Sequence, residues 1–303
     1  MRTALWLGLA LLAGGVSVAE ETNATREVKV GIYVLNLGKL DVGTGAFTAD
    51  FYLSLKSADP IPDNSFEFLN GRAASLEKIE DRDGGREKFY RVLANLSTPV
   101  DLKHFPFDDQ KLEIVLEDKT EPIGKLRYVP NQEESGMDAA IVFPGWDIRR
   151  WGVSTAKHDY PVYDESYSQA IYTVDIGRIK MNSFLKTFMP VLFLMLIVMS
   201  SFILNPDQIT TRLGAISSAL VASAMFHISI ANQIPPVGYL TFADKFMVLT
   251  YFILLSCFFM SLMVFVLQNR KEEERAKRIH RFTEKLTLIG MPVLYLALFL
   301  FVR

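Results

Sequence analysis

The sequence predicts a two-part fold: an antiparallel, immunoglobulin-like β-sandwich followed by a bundle of four transmembrane helices. Three observations predict it. Residues 20 to 180 alternate apolar and polar side chains in short runs divided by turn residues, as half-buried strands do. Residues 181 to 303 hold four apolar runs of bilayer-spanning character, about 184–204, 209–230, 246–267 and 286–302. Charge divides at the same place, with 20 Lys and Arg against 28 Asp and Glu before it, net −8, and 11 against 6 after it, net +5.

Residues 1 to 19 read as a secretory signal peptide: Arg2, an apolar core from Ala4 to Ala13, and small residues at Ser17-Val18-Ala19. The segment beyond it is then extracytoplasmic. Strand patterns follow in EVKVGIYVLNL, AFTADFYLSLK, KFYRVLANLS, QKLEIVLED, GWDIRRWGVS and QAIYTVDIGRIK, with turn chemistry in LDVGTG, DRDGG and KTEPIG. Their spacing suits an antiparallel sandwich.

Pro190 lies in the first apolar run, where neighbouring helices re-satisfy the freed carbonyl. The second run carries a stripe at helical spacing: Thr211, Gly214, Ser218, Val221, Met225, Ile228 and Asn232. It is small and hydroxylated at one end and apolar at the other. Two readings fit. Hydroxyls that replace ion hydration and an apolar ring that closes by dewetting make a pore wall; small residues also make a packing seam between membrane helices. One such helix per chain requires several chains around a pore. The connector NRKEEERAKRIHRFT holds six Lys and Arg against three Glu, whereas QIPPVGYLTFAD holds no Lys or Arg. By the positive-inside rule the basic connector is cytoplasmic, and the carboxyl terminus is outside with the amino-terminal domain.

Composition excludes some functions. A single cysteine, Cys257, permits no intrachain disulfide and no thiolate metal cluster. No catalytic or nucleotide-binding motif is present, so neither an enzyme nor a cofactor is expected, and no basic nucleic-acid footprint appears. His104, His158, His227 and His280 are scattered, and His227 falls beside the stripe, which favours packing over proton sensing.

The motif Phe105-Pro106-Phe107-Asp108-Asp109-Gln110 resembles the FPFDxQ signature of pentameric ligand-gated ion channels, the Cys-loop receptor superfamily. Thr98 and Leu112 stand where animal members have the bracketing cysteines, so the resemblance is to the prokaryotic type without the disulfide. Arg178 before the first span, Pro190 within it, the hydroxyl-rich second span and Ile234-Pro235 after it keep the family's order. Phe66-Glu67-Phe68-Leu69-Asn70 resembles a binding loop, and Gly145-Trp146-Asp147-Ile148 a late strand. Only about ten residues separate Lys56 from Phe66, fewer than in family members, which puts a strand and part of one binding face in question.

The resemblance implies a homopentamer in a bacterial inner membrane. Its partners are the lipid bilayer, monovalent ions and a small-molecule or ionic agonist. It implies gating coupling through Asp41, Asp108, Arg178 and Pro235, and ligand binding near Phe66, Phe68, Glu117, Tyr160, Tyr163 and Tyr167. Residue-level alternatives stand beside these: Pro106 as a plain turn, Arg178 as an interfacial anchor, the tyrosines as hairpin packing. Asp207, Thr210 and Thr211 are the selectivity candidates, with cations expected. Arg212-Leu213-Gly214 resembles anion-selective relatives, so an anion channel is the alternative. A non-conducting membrane receptor is the other, disfavoured by how little of the chain faces the cytoplasm.

Overall fold

Alternation sets the first layer. In β5 (Glu87–Ser97) Tyr90, Val92, Ala94 and Leu96 point inward and Arg91, Leu93 and Asn95 outward. β1 (Arg26–Leu37) and β2 (Ala46–Ser57) add Val30, Ile32, Phe51 and Leu53 to the same core. The computed structural model describes residues 25–301, so the expected signal peptide lies outside the described residues.

One sheet has the order β4-β5-β2-β1-β7, with β8 also paired to β1; the other has the order β3-β6-β10-β9. The remaining strands are β3 (Phe66–Phe68), β4 (Gly71–Arg82), β6 (Asp109–Asp118), β7 (Leu126–Pro130), β8 (Gly136–Met137), β9 (Trp146–Tyr160) and β10 (Glu165–Arg178). The sandwich is not wholly antiparallel as expected: β1 pairs parallel with β7 and with β8. Those two strands are short and supply little alternation, and β4 is exposed on both faces, so periodicity does not reveal them. Asn70 joins the sheets: its amide donates to Ser97 O (2.9 Å) and Glu113 O (2.6 Å), and its Oδ1 accepts from Val115 N (3.1 Å).

Among the described residues three helices are long and apolar enough to cross a membrane: α3 (Ile209–Ala231), α4 (Phe242–Asn269) and the continuous segment Glu273–Phe301. The first apolar run is broken into α1 (Lys180–Thr187) and α2 (Met189–Ser201), bent by 47°. Pro190 sits at the start of α2, where its ring and missing N–H cannot continue α1. The helix α4 begins earlier than hydropathy suggests. Thr241 and Asp244 form a reciprocal capping box, Asp244 N donating to Thr241 Oγ1 (3.2 Å) and Thr241 N to Asp244 Oδ2 (2.8 Å). The basic connector is not a loop. It forms α5 (Glu273–Lys285), which burying Ala276, His280 and Thr283 makes amphipathic, and it runs through a π-helical turn into α6 (Met291–Phe301).

Candidate functional site

The loop between β5 and β6 leaves the sandwich and enters the core of the helical layer. Leu102 and Phe105 are buried with Phe188, Phe202, Phe242 and Phe246. Phe107 stacks on Phe188 (5.7 Å) and meets Phe242 (5.9 Å) and Phe299 (6.4 Å). Burying Phe105 fully, with Phe107 packed partly buried beside it, ties the layers together, the fully buried ring at roughly 1.5–3 kcal/mol.

Backbone bonds add direction to that tie. The first N–H groups of an α-helix have no partner within it. In α4, Phe242 N donates to Lys103 O (2.9 Å) and Ala243 N to Phe105 O (3.0 Å), so the loop caps the helix. Leu102 N donates to the Tyr239 hydroxyl (2.9 Å), which reaches the segment joining α3 to α4. Ile234 and Val237 of that segment pack on the same core, and the neighbouring Pro235 is half-buried.

The polar residues of the motif hold the loop's shape. Gln110 Nε2 donates to Asp101 O (2.7 Å) and Asp108 Oδ2 (2.8 Å), and its Oε1 accepts from Asp101 N (3.1 Å). Asp108, 1% exposed, accepts on Oδ1 from Arg178 Nε (2.7 Å). The Arg178 guanidinium lies 4.4 Å from the Trp146 ring centroid and 5.0 Å from that of Phe105. A buried carboxylate, a guanidinium and two rings thus meet where β10 runs into α1.

Asp41 does not join this pair. Its Oδ1 accepts from Gly43 N (2.8 Å) and its Oδ2 from the Thr44 hydroxyl (2.9 Å), bonds that lower its pKa and close its own turn. The four expected coupling residues therefore divide into an ion pair, Asp108–Arg178, and two separate positions, Asp41 and Pro235.

The third helix leaves a face open. All seven stripe residues, from Thr211 through Asn232, are exposed, as are Asp207 and Thr210. The opposite face buries Ile209, Arg212, Ile216, Ala219, Ser223 and Ile230. Arg212 is wholly buried: Nε donates to Ser201 O (3.1 Å), one Nη to Leu204 O (3.0 Å), the other to His280 Nδ1 (3.2 Å), and Phe202 lies against it at 5.0 Å. Its charge points away from the stripe. His227 also turns aside, its Nε2 3.2 Å from Asp244 Oδ1 and its Nδ1 3.1 Å from the Tyr251 hydroxyl.

The expected ligand residues separate in space. Glu117 lies on the outer side of the second sheet yet is 2% exposed. It accepts from Tyr160 Oη (2.9 Å), Gln169 Nε2 (2.9 Å) and His158 Nδ1 (3.0 Å). Tyr160 touches His158 (4.3 Å between centroids) and meets Tyr167 edge-on (5.6 Å). Desolvation, then the bond to Glu117, pushes the Tyr160 phenol up to about 12, and the bond to Glu165 raises Tyr167, so both stay neutral donors near pH 7. Tyr163 is exposed at the hairpin tip. Phe66 and Phe68 are core residues, edge-on to Tyr90 and to Phe51, with little surface left for a ligand. His158 and Gln169 belong to the cluster and carried no signal in sequence; nor did Trp146 as a partner of Arg178.

No family profile matches the chain. Individual proteins do. A proton-gated ion channel of Gloeobacter violaceus is 24% identical over 293 residues, covering 89% of this chain and 80% of that protein. Ligand-gated ion channel 50 of Caenorhabditis elegans is 26% identical over 188 residues, covering 60% of this chain and 37% of that protein. The rat glycine receptor subunit beta is 21% identical over 256 residues, covering 73% and 51%. The chain thus spans about half the length of the glycine receptor subunit and less of the nematode channel. A sandwich whose FPFD loop is sunk among membrane helices is thus similar, over most of its length, to proton-gated and ligand-gated ion channels, in line with its resemblance to the pentameric ligand-gated ion channel (Cys-loop receptor) superfamily.

Proposed function

We propose that the chain is one subunit of a homopentameric ion channel, opened by a small molecule or ion that binds the sandwich, and that α3 lines its pore. The observation that carries this reading is the open face of α3. A single chain packs one side of that helix tightly and leaves Thr211, Gly214, Ser218, Val221, Met225, Ile228 and Asn232 facing outward together. Brought around one axis, the hydroxyls form a hydrophilic ring near one end. Val221, Met225 and Ile228 form an apolar barrier that closes by dewetting. In this assembly the bent pair α1–α2 is the fourth span. The sandwich and carboxyl terminus lie outside a bacterial inner membrane, and α5 starts on the cytoplasmic side, as its basic charge favours.

The ligand site in this reading is the β9–β10 hairpin around Glu117, Tyr160, Tyr163 and Tyr167, where phenol faces hold a cationic or polar group. From the hairpin, β10 is an unbroken strand of 14 residues ending at Arg178. A strand of that length spans about 46 Å, so its own backbone carries hairpin movement to the Asp108–Arg178 pair, past a register shift against β9 between Asp175 and Ile176. The loop caps α4 and touches the α3–α4 segment, and so passes the movement to the top of the pore helix.

Cation passage is favoured by the exposed Asp207 at the pore mouth, by Arg212 turned away from it, and by a sandwich charge of −8 per subunit. Purified protein in a planar bilayer under a potassium chloride gradient is expected to give unitary currents reversing near the potassium potential, with Asp207→Asn shifting the reversal toward zero. Reversal at the chloride potential establishes the anion channel instead, and no unitary current under any ligand supports a non-conducting receptor.

A further inference from the structure

The end of β10 is held on both of its faces. On the buried face Arg178 pairs with Asp108, and Arg178 N also donates to Asp108 O (3.2 Å). On the exposed face the adjoining residues, Gly177 and Asp109, stand opposite each other in β10 and β6. Asp109 meets Arg149 of β9, with Nη1 donating to Oδ2 (2.7 Å) and Nη2 lying 2.7 Å from Oδ1. This is a bidentate fork. It joins β9 to β6 across the strand that lies between them, β10.

Two local features let the fork form. Ile148 pairs with Ile176 and Arg150 with Asp175, so Arg149 is the extra residue of a β-bulge, and both arginines are exposed. To reach Asp109, Arg149 must cross β10, and it crosses at Gly177. A Cβ there would meet the guanidinium, with Nε at 2.6 Å and Nη2 and Cζ closer still. Glycine leaves the planar group room to lie on the backbone, and Gly177 itself is buried. The next pair, Arg150–Asp175, links β9 to β10 alone and crosses no strand.

We propose that Arg149, Gly177 and Asp109 are positioning residues for the Asp108–Arg178 pair. The fork straps the end of β10 between its neighbours and so holds the FPFD loop on α4. Asp109 directly follows Asp108 and Gly177 directly precedes Arg178, so the strap fixes the backbone one residue from each partner. This positioning role rests on the coupling route through Asp108 and Arg178. Gly177→Ala separates shape from charge. Its methyl displaces the end of a flexible side chain rather than backbone, and both charges remain. Replacing glycine by alanine without a positive φ otherwise stabilises a chain, so a loss of protection has the opposite sign.

Amide hydrogen exchange, read by mass spectrometry on the full-length protein in lipid nanodiscs without ligand, tests this apart from any current. Gly177→Ala, Arg149→Gln and Asp109→Asn are each expected to speed exchange about fivefold, the upper range for an exposed pair. The acceleration is expected in two places: at Gly177 and Arg178, and at Phe242 and Ala243, whose N–H groups donate to Lys103 O and Phe105 O of the loop. Exchange in β1 and β2 is expected to stay as in the unsubstituted protein. Gly177→Ala combined with Arg149→Gln is expected to be no faster than either alone, and Arg150→Gln to leave α4 unchanged. Acceleration confined to β10 makes the fork a local brace and overturns the proposal. So do silence in Arg149→Gln and Asp109→Asn, whatever Gly177→Ala does, and an equal effect from Arg150→Gln. Arg149 and Asp109 are exposed, so their variants carry the test if Gly177→Ala does not fold.

Discussion

Arg178→Ala is expected to abolish ligand-evoked current while the protein still reaches the membrane and still binds ligand. The substitution leaves Asp108, 1% exposed, without its cation, and empties the space between Trp146 and Phe105. Breaking a buried pair by removing one partner costs about 3–5 kcal/mol. That exceeds the few kcal/mol that separate two functional conformations of a protein. The loss falls at the junction of β10 and α1, not on the hairpin, so gating and binding part company. Arg178→Lys keeps the charge but not the planar group that lies against Trp146, and an intermediate shift of the dose–response curve is expected. Ligand affinity measured on the assembled protein checks the distinction. If Arg178→Ala gates like the wild type, or loses affinity in step with current, the pair does not couple the two layers.

Arg212→Ala is expected to destabilise the helical layer severely, and Arg212→Gln is expected to leave ion selectivity where it was. The guanidinium supplies donors to Ser201 O and Leu204 O, carbonyls at and beyond the end of α2. Cations are favourable at a helix carboxyl end, and in lipid no water replaces them. Each buried acceptor left without a donor costs about 1–3 kcal/mol, and here two carbonyls and the ring of His280 lose theirs together. Thermal unfolding of the detergent-solubilised protein measures the effect, with a fall of many degrees or loss of expression expected. Arg212→Gln retains one donor group and is the variant for reversal potentials. A marked rise in cation permeability on neutralising Arg212 would mean that its charge faces the ions, contrary to its buried position behind the stripe.

These two arginines also show what a sequence yields and what it withholds. Arg178 stood out because the FPFD motif and its place before the first span resemble a known order, and Asp108 followed with it. Trp146 did not, since 32 residues separate it from Arg178 and only register brings them opposite each other in β9 and β10. Arg212 and His280 meet across 68 residues, a separation that periodicity cannot bridge. The stripe on α3 was legible because helical spacing is local and one face of that helix is exposed among the described residues. Phe66 and Phe68 carry the same alternation whether a ring faces a ligand or the core, and the core took both. Asp41's partners were not legible, because a short turn offers its carboxylate nearer donors, Gly43 N and the Thr44 hydroxyl. The basic connector hid a helix because charge masked the spacing of Ala276, His280 and Thr283, which an amphipathic reading recovers.

The central claim is that the exposed face of α3 lines a water-filled path. Cysteine substitution tests it most directly, since the lone Cys257 is buried and Cys257→Ser supplies a background without thiols. Single cysteines are placed at Ser218, Val221 and Met225 on the open stripe, and at Ile216, Ala219 and Ser223 on the packed side, and open channels are exposed to a cationic methanethiosulfonate reagent. The structure predicts lasting block at the first three positions and unchanged current at the second three. Block at the packed positions with none on the stripe would place a different face of α3, or a different helix, around the ions.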